Sequence, residues 1–265
     1  MNASEELTEE NDDPAAEKTR APAVARASNI LRLLAREGDG LGVTEIARRV
    51  NLVTSTVFHV LRALADEGFV TFDPEKKTYR TGIGLLTLVR DAMANSDYPK
   101  LVQPALDRLA VRHLVSAVAV ELDSRERMVV VALSRADSMI SLHINVGSRF
   151  PSLISATGRC VAAASGASRE ELRAKFKKLR WERAPRFDEW YADVQRAKTE
   201  GFAVDHGNFI RGVTVMATLL EPAADGISRG IAAVGFDHNM TEKSLPRLRD
   251  ALGEAARSTA AQLQR

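Results

Sequence analysis

The 265-residue sequence predicts an α+β protein in two parts, and three observations support this fold class. Near the N-terminus, three stretches with apolar residues three or four positions apart precede two short β-rich runs. Further along, β-rich runs and helical stretches come in groups rather than in strict alternation, which disfavours a barrel or a doubly wound sheet. The length exceeds that of a usual single domain and suffices for two cores.

Composition is that of an ordinary globular protein, with 45% apolar and 27% charged residues. No run approaches the roughly 20 apolar residues of a membrane span, and the acidic N-terminus is unlike a secretory signal. We therefore expect a cytoplasmic protein with no membrane partner. The only cysteine, Cys160, excludes an intrachain disulfide and a cysteine-based zinc site, and the five histidines lack metal spacing. No metal and no cofactor is predicted.

Residues 1–21 are predicted to form a disordered tail. The first 20 residues contain seven acidic and two basic side chains and almost no large apolar ones, so they cannot offset their own ordering entropy. The remaining chain is therefore more basic than the net charge of +2 suggests.

Three helices and a hairpin are predicted over residues 22–83. The first helix runs from Pro22 to near Gly38, and the second covers 45–50 with Thr44 as its cap. The third begins at Val53 or Thr54 and places Val57, Leu61 and Leu64 on one buried face. Two β-rich runs around a polar turn at 73–77 complete the pattern of a winged helix-turn-helix.

The outer face of the third helix is predicted to enter the major groove of double-stranded DNA, because one helix fits that groove and can contact its base edges. Hydroxyl and backbone N–H groups at the helix start suit phosphates, and lysines at the wing tip suit a neighbouring phosphate or minor groove. Taken singly, each residue is equally consistent with a helix cap, a solvated charge or an ordinary turn. The predicted DNA contacts are Thr44, Thr54, Ser55, Thr56, His59, Arg62, Lys76 and Lys77.

The second part begins with a predicted linker segment, 84–98, that is helical to about Ala94. Residues 99–265 are predicted to form one α+β domain whose helices flank a sheet. The strands are predicted at 116–122, 128–134, 139–145, 213–220 and 230–236, and the helices at about 100–113, 156–165, 169–178, 187–200 and 242–264.

Four stretches resemble the IclR family of bacterial regulators in sequence and in order. They are TEIARRVNLVTSTVFHVLRALADEGFV (44–70), TYRTG (78–82), GSRFPSLISATGRCVAA (147–163) and EGFAVDHGNFIRGVTVMATLL (200–220). The resemblance covers nearly everything from Pro22 onward. It implies a GAF-like effector domain with an antiparallel sheet, a linker helix used in dimerisation, and frequently a dimer of dimers.

The resemblance also implies effector contacts in the second domain. Most of these positions are apolar or small, and the helix near Ala156 offers N–H groups that favour an anion, so a small aromatic or aliphatic acid is expected. The valines and Met139 are equally consistent with plain core, and Asp205 with capping a turn. The implied positions are Met139, Ala156, Thr157, Gly158, Asp205, Val213, Val215, Gly235 and Asp237.

The sequence favours an effector-modulated transcription regulator over two alternatives. An enzyme would use histidines and aspartates such as His206 and Asp237, but no nucleophile motif, phosphate loop or metal spacing accompanies them, so no catalytic residue is predicted. A constitutive DNA-binding protein with an oligomerisation domain is the other alternative. One recognition helix per chain contacts few bases, so at least a homodimer on a palindromic operator is expected, and the family resemblance extends this to a homotetramer.

Overall fold

The computed structural model describes residues 21–94, 96–136, 144–222 and 228–264. These residues divide into two compact units, an N-terminal unit ending at Ser96 and a C-terminal unit beginning at Asp97. The predicted acidic tail, apart from Ala21, and Met139 with most of the strand predicted at 139–145 lie outside the described residues. Among the described helices, none combines the length and apolar character needed to cross a membrane.

The N-terminal unit is a winged helix-turn-helix, as predicted. A single small core, formed by residues such as Ile30, Ile46, Val57 and Leu61, holds its three helices and hairpin together. The elements are α1 (Pro22–Arg36), α2 (Val43–Arg49), α3 (Thr54–Asp66), β1 (Val70–Asp73), β2 (Thr78–Thr81) and α4 (Ile83–Ala94).

Helix α2 begins earlier than predicted, and Thr44 is not its cap. Leu41 and Tyr79 exchange two backbone hydrogen bonds of 2.9 and 2.8 Å, which ties the chain before α2 to the wing. The chain therefore enters the helix directly after Gly42, the N-cap residue, which provides no side-chain hydrogen bond. Thr44 lies exposed in the first turn.

Three glycines join the end of α3 to the start of α4. The N–H of Gly84 donates to the carbonyl of Gly68 at 3.0 Å, and the N–H of Gly82 donates to Phe69 at 2.8 Å. A Cβ atom would lie 2.3 Å from the Gly68 oxygen at position 82 and 2.7 Å from it at position 84. Only glycine allows this close approach of two backbone segments.

The C-terminal unit contains one antiparallel six-stranded sheet in the order β5-β4-β3-β8-β7-β6, flanked by helices, which agrees with the predicted α+β class. Its elements are α5 (Asp97–His113), β3 (Ser116–Leu122), β4 (Arg127–Arg135), β5 (Arg149–Pro151), α6 (Ser155–Ala164), α7 (Arg169–Phe176), α8 (Phe187–Glu200), β6 (Ala203–His206), β7 (Val213–Leu219), β8 (Arg229–Phe236) and α9 (Leu245–Leu263).

The two faces of the sheet carry separate cores, because side chains alternate along a strand. The α5/α9 face holds residues such as Met216 and Ala233 against α5 and α9. The α6 face holds residues such as Val215 and Val234 against α6, α7 and α8. A shift of one residue along a strand therefore moves a side chain from one core to the other.

Four elements of this unit differ from the sequence prediction. Helix α5 begins at Asp97, so Tyr98 and Pro99 belong to its first turn rather than to a break. Strands β5 and β6 were not predicted, since they have only three and four residues and each carries charged side chains. Helix α9 starts at Leu245 because a hydrogen-bonded turn between Thr241 and Ser244 precedes it.

The N-terminus of α6 is packed against the loop before it through Gly158. A Cβ atom at this position would lie 1.9 Å from the carbonyl carbon of Leu153. Ser155, the first residue of the helix, has a φ of 59°, a left-handed conformation that serine rarely adopts. The loop and the helix therefore have one packing arrangement with little room for substitution.

We expect Gly158→Ala to lower the free energy of unfolding by about 2 kcal/mol or more, because the added methyl group overlaps backbone atoms that no side-chain rotation can move. Urea or thermal unfolding monitored by circular dichroism measures this change. Gly253→Ala in α9 is the matched control. Its Cβ meets only the mobile end of Arg257, and alanine favours helix, so this variant should be neutral or more stable. Equal stability of the two variants would contradict the tight packing at Gly158.

Candidate nucleic-acid interface and effector site

Helix α3 presents a polar face to solvent. Thr54, Ser55, His59 and Arg62 are exposed, whereas Val57, Leu61 and Leu64 on the opposite side are buried. Thr56 is half-buried. The structure therefore brings the predicted contacts of this helix together on one accessible surface, called here the recognition face.

The start of α3 is free to receive an anion. Its N-cap, Val53, is extended and supplies no side-chain hydrogen bond to the first turn. The first N–H groups of a helix lack intrahelical partners, and they favour phosphate oxygens. The sequence from Thr54 to Ala65 contains no acidic residue, so no carboxylate on this stretch opposes a phosphate.

The wing tip is a hydrogen-bonded turn that carries two exposed lysines. Asp73 Oδ1 accepts hydrogen bonds from the backbone N–H groups of Glu75 and Lys76 at 3.0 and 3.1 Å. These bonds, that of Lys76 above all, lower the pKa of the Asp73 carboxyl. Lys77 adopts a left-handed φ of 53°, and both Lys76 and Lys77 are exposed.

The two arginines of α2 differ from these lysines because carboxylates already neutralise them. Arg48 and Arg49 both contact Glu45 at 2.6 Å, and Arg49 also contacts Glu37 at 2.5 Å. The hydrogen bonds from Arg48 and Arg49 lower the pKa of Glu45 to about 2. The available positive charge near α3 therefore comes from Arg62 and the wing rather than from α2.

Phe58 also lies on the recognition face, and sequence reasoning assigned it no role. Its side chain is 46% exposed, and its ring meets the edge of the His59 ring with 6.1 Å between centroids. An exposed aromatic ring on such a helix is suited to apolar contact with a thymine methyl group. The helical spacing of Val57, Leu61 and Leu64 leaves Phe58 on the outer face of α3, and this spacing was the sequence signal that could have identified Phe58 as a candidate DNA contact.

In the C-terminal unit, β7 and α6 bring most of the implied effector positions to the α6 face. Val213 and Val215 are buried there with Ala156, and Thr157 is half-buried in the first turn of α6. The N-cap of α6, Ile154, provides no side-chain hydrogen bond to that turn. The face therefore combines apolar side chains with helix N–H groups.

Gly235 does not share this face. It pairs with Thr214 in the β7–β8 register, and an added Cβ would lie 2.9 Å from Met240 Sδ in the α5/α9 core. The residues of β8 beside Val213 and Val215 are Phe236 and Val234. Val234 and Phe236, rather than the Gly235 position, therefore share the face of the two valines.

Asp237 is exposed just after β8, and it is tied to the same strand pair as Gly235. Its Oδ1 accepts a hydrogen bond of 2.6 Å from the hydroxyl of Thr214. The Thr214 hydroxyl also lies 3.4 Å from His206 Nδ1. Because successive side chains of β7 point to opposite faces, Asp237, which is hydrogen-bonded to Thr214, lies on the other face of the sheet from Val213 and Val215.

Asp205 is fully buried, and both of its oxygens have partners. Oδ1 accepts from Arg159 Nη1 at 3.1 Å, and Oδ2 accepts from the backbone N–H of Phe209 at 3.1 Å. The Ser155 hydroxyl is a further donor to Oδ2 at 3.5 Å. This position therefore joins β6 to the N-terminus of α6 and to the loop that follows β6.

Arg159 is the residue that sequence reasoning missed. Its side chain is 1% exposed, and its guanidinium also donates to Asp193 Oδ2 at 3.1 Å, to the Ser155 carbonyl at 2.9 Å and to Asn208 Oδ1 at 2.9 Å. An arginine inside a run of small residues was a signal, because a charged group is buried only when it is paired.

Cys160 lies beside this network without a reactive environment. The thiol is buried and approaches the Ala217 carbonyl at 3.3 Å. Burial raises the pKa of the Cys160 thiol to about 12, so the nucleophilic thiolate is scarce at neutral pH. Cys160 is thus a small residue of the buried core on the α6 face. Within the described ranges, no three His, Cys, Asp or Glu residues are grouped to hold a metal.

A winged helix with an accessible recognition face, followed by a separate sheet-containing unit, defines a DNA-binding transcription regulator rather than an enzyme. Comparison with known proteins establishes the family. The IclR helix-turn-helix domain matches residues 23–74, and the bacterial transcriptional regulator IclR C-terminal domain matches residues 91–261. The chain belongs to the IclR family, whose C-terminal domain binds effectors.

Individual relatives agree with this assignment. The transcriptional repressor AllR of Salmonella typhi is 24% identical over 235 residues, covering 87% of this chain and 85% of the relative. The fold is similar to an IclR regulator from Alicyclobacillus acidocaldarius (TM-score 0.78, 24% identity, 91% and 98% coverage). It is also similar to an IclR homolog from Microbacterium hydrocarbonoxydans complexed with 4-hydroxybenzoate (TM-score 0.73, 19% identity, 91% and 99% coverage).

We expect Arg159→Met to lower the free energy of unfolding by about 3 to 5 kcal/mol, because it leaves the buried Asp205 carboxylate without its counter-charge. Arg196→Met is the matched control, since Arg196 pairs with the same Asp193 from a side chain that is 70% exposed. Its loss should cost less than about 1 kcal/mol. Denaturant unfolding measures both, and similar losses would show that Arg159 has no special structural role.

Proposed function

We propose that this chain is an effector-responsive regulator that binds a palindromic operator as a homodimer or a dimer of dimers. The recognition face supports this proposal most directly, because its exposed hydroxyls, His59 and Arg62 lie together on the side of α3 opposite the buried core. The bacterial chromosome lies in the cytoplasm, where we propose that the protein acts. In this proposal residues 22–83 bind DNA, 84–98 link, and 99–265 bind the effector and a partner copy.

Each contact has a chemical role in this proposal. Thr54, Ser55 and Thr56 hold phosphates through hydroxyl and backbone N–H groups at the start of α3, and Thr44 reaches a phosphate from α2. His59 and Arg62, one turn further, contact base edges, with Phe58 as an apolar neighbour. Lys76 and Lys77 hold the phosphates beside the wing.

Helix α4 supports the homodimer. Four large apolar side chains of this short helix are more than half exposed in the single chain, and burying such residues against a second copy removes them from water. They are Ile83, Leu86, Leu88 and Val89. Two copies related by a twofold axis present two recognition faces, which requires two half-sites of opposite orientation.

We propose that the effector is a small aromatic or aliphatic acid bound on the α6 face. Its carboxylate meets the N–H groups of Ala156 and Thr157 in the first turn of α6, where the helix dipole favours an anion, while the N–H of Gly158 donates to the Ile154 carbonyl at 2.8 Å and closes the turn. Its apolar part lies against Val213 and Val215. In this proposal Val234 and Phe236, which pair with Val215 and Val213 across the two strands, line the ligand in place of Gly235 and Asp237. The 4-hydroxybenzoate complex of the Microbacterium homolog supports this ligand class.

In this proposal Asp205 contributes both by its place in the effector site and through the residues that are hydrogen-bonded to it. Asp205 accepts hydrogen bonds from Ser155, at the N-terminus of α6, and from Arg159, which also donates to Asp193 in α8. A ligand at the first turn of α6 therefore shifts one connected network. A ligand changes DNA affinity only if it binds two arrangements of the protein differently, and such coupling amounts to about 1 to 3 kcal/mol.

We expect the double variant Lys76→Ala/Lys77→Ala to weaken binding to operator and random DNA alike. Each lost phosphate contact should reduce the slope of log affinity against log salt by about 0.9 per lysine. Fluorescence anisotropy with labelled duplexes from 50 to 300 mM salt measures the slope. Lys177→Ala/Lys178→Ala is the matched control, because this adjacent exposed pair belongs to the C-terminal unit. An unchanged slope in the wing variant, or an equal change in the control, would refute the wing contact.

We expect 4-hydroxybenzoate to bind at least about tenfold more tightly than its neutral isostere 4-hydroxybenzamide, because only the acid gains charge-assisted hydrogen bonds at the α6 N-terminus. The fluorescence of the only two tryptophans reports binding, since Trp181 lies 5.9 Å from the Arg159 guanidinium. Val215→Phe, which fills the α6 face, should abolish the signal change. Equal binding of acid and amide would argue against anion capture, and binding retained in Val215→Phe would argue against this face.

A further inference from the structure

A cavity of about 720 Å³ lies on the α5/α9 face of the C-terminal unit, between the end of α5, the loop after β8 and the first half of α9. The sheet separates it from the α6 face, where the effector is proposed to bind. Its volume is within the range of small-molecule sites in proteins. It is therefore large enough to hold a small molecule apart from the α6 face.

Apolar side chains form the inner wall of this cavity. Val115, Met240 and Leu248 line it, and each is buried in the α5/α9 core. Met240 reaches the sheet only because position 235 is glycine, since an added Cβ would lie 2.9 Å from its Sδ and 3.1 Å from its Cγ. Gly235 thus determines where the Met240 side chain lies and how much room the cavity has.

Cations dominate the rim. Arg112, Lys243 and Arg247 line the cavity, and none of the three forms an ion pair or hydrogen bond within the described parts of the chain. Two acids also line it. Asp250 is paired with Arg249 at 2.8 Å, which leaves Glu254 as the opposing charge. The unmatched charge of the lining is therefore positive.

His113 also lines the cavity, but it adds no positive charge to it. Burial, together with the positive Arg112 beside it, lowers the pKa of His113, so the ring is neutral at neutral pH. Its Nε2 is buried away from the cavity and has no hydrogen-bond partner among the described residues.

We propose that this cavity binds a second small organic anion, one with an apolar body. The anion pairs with Arg112, Lys243 and Arg247, and its apolar part lies on Val115, Met240 and Leu248. The regulator would then have two ligand sites, one on each face of its sheet. This site does not depend on the effector assignment of the α6 face.

The fluorescent probe 8-anilinonaphthalene-1-sulfonate has the required sulfonate and apolar rings, so it tests the proposal with the full-length protein. We expect Arg112→Glu/Arg247→Glu to weaken its binding at least about tenfold, because two attractive charges become repulsive. Arg257→Glu, on the same helix but outside the cavity lining, should change it less than about twofold. Gly235→Ala, which alters no charge, should also weaken binding by moving Met240 into the cavity.

Two results would overturn the proposal. The first is probe affinity that stays the same in the Arg112→Glu/Arg247→Glu variant. The second is probe binding that is lost in Val215→Phe and kept in the charge-reversal variant, which would place the probe on the α6 face. Thermal unfolding of every variant identifies any loss of probe binding caused by unfolding.

Discussion

The ion pair between Arg159 and Asp205 is the interaction on which the C-terminal unit depends. It connects helix α6 to strand β6 in the interior, where neither charge reaches water. Through Asp193 and Asn208, the same guanidinium also holds α8 and the loop after β6. Because a buried charge is tolerated only with well-placed partners, these elements have to assemble in one geometry.

That geometry positions the proposed effector contacts. Ser155 is kept in its left-handed conformation while its carbonyl accepts from Arg159, and Gly158 allows the preceding loop to lie against the helix. The first turn of α6 thus presents its N–H groups at a defined place beside β7. The α6 face combines this rigid polar edge with a wall of valines, a combination suited to a ligand that has an acidic and an apolar end.

Sequence reasoning predicted the parts of the structure that depend on local periodicity. The buried face of α3 follows from the spacing of Val57, Leu61 and Leu64, and the hairpin follows from its β-rich runs. Contacts between distant segments were not predictable in this way. Thr44 was misassigned because the bridge between Leu41 and Tyr79 determines where α2 begins. The direction of the Gly235 position, toward the α5/α9 core, was also not predictable, because only the strand register shows which way a residue faces.

The backbone contacts of Gly82 and Gly84 with Gly68 have a mechanical consequence for gene control. The start of α4 is held by backbone hydrogen bonds against the residues that directly follow α3, so the two helices meet at one short junction. In a dimer held together by α4, the tilt of this helix would set the distance between the two recognition helices. Half-sites on B-DNA repeat about every 34 Å, so a small change of tilt is enough to take both helices out of register with their operator.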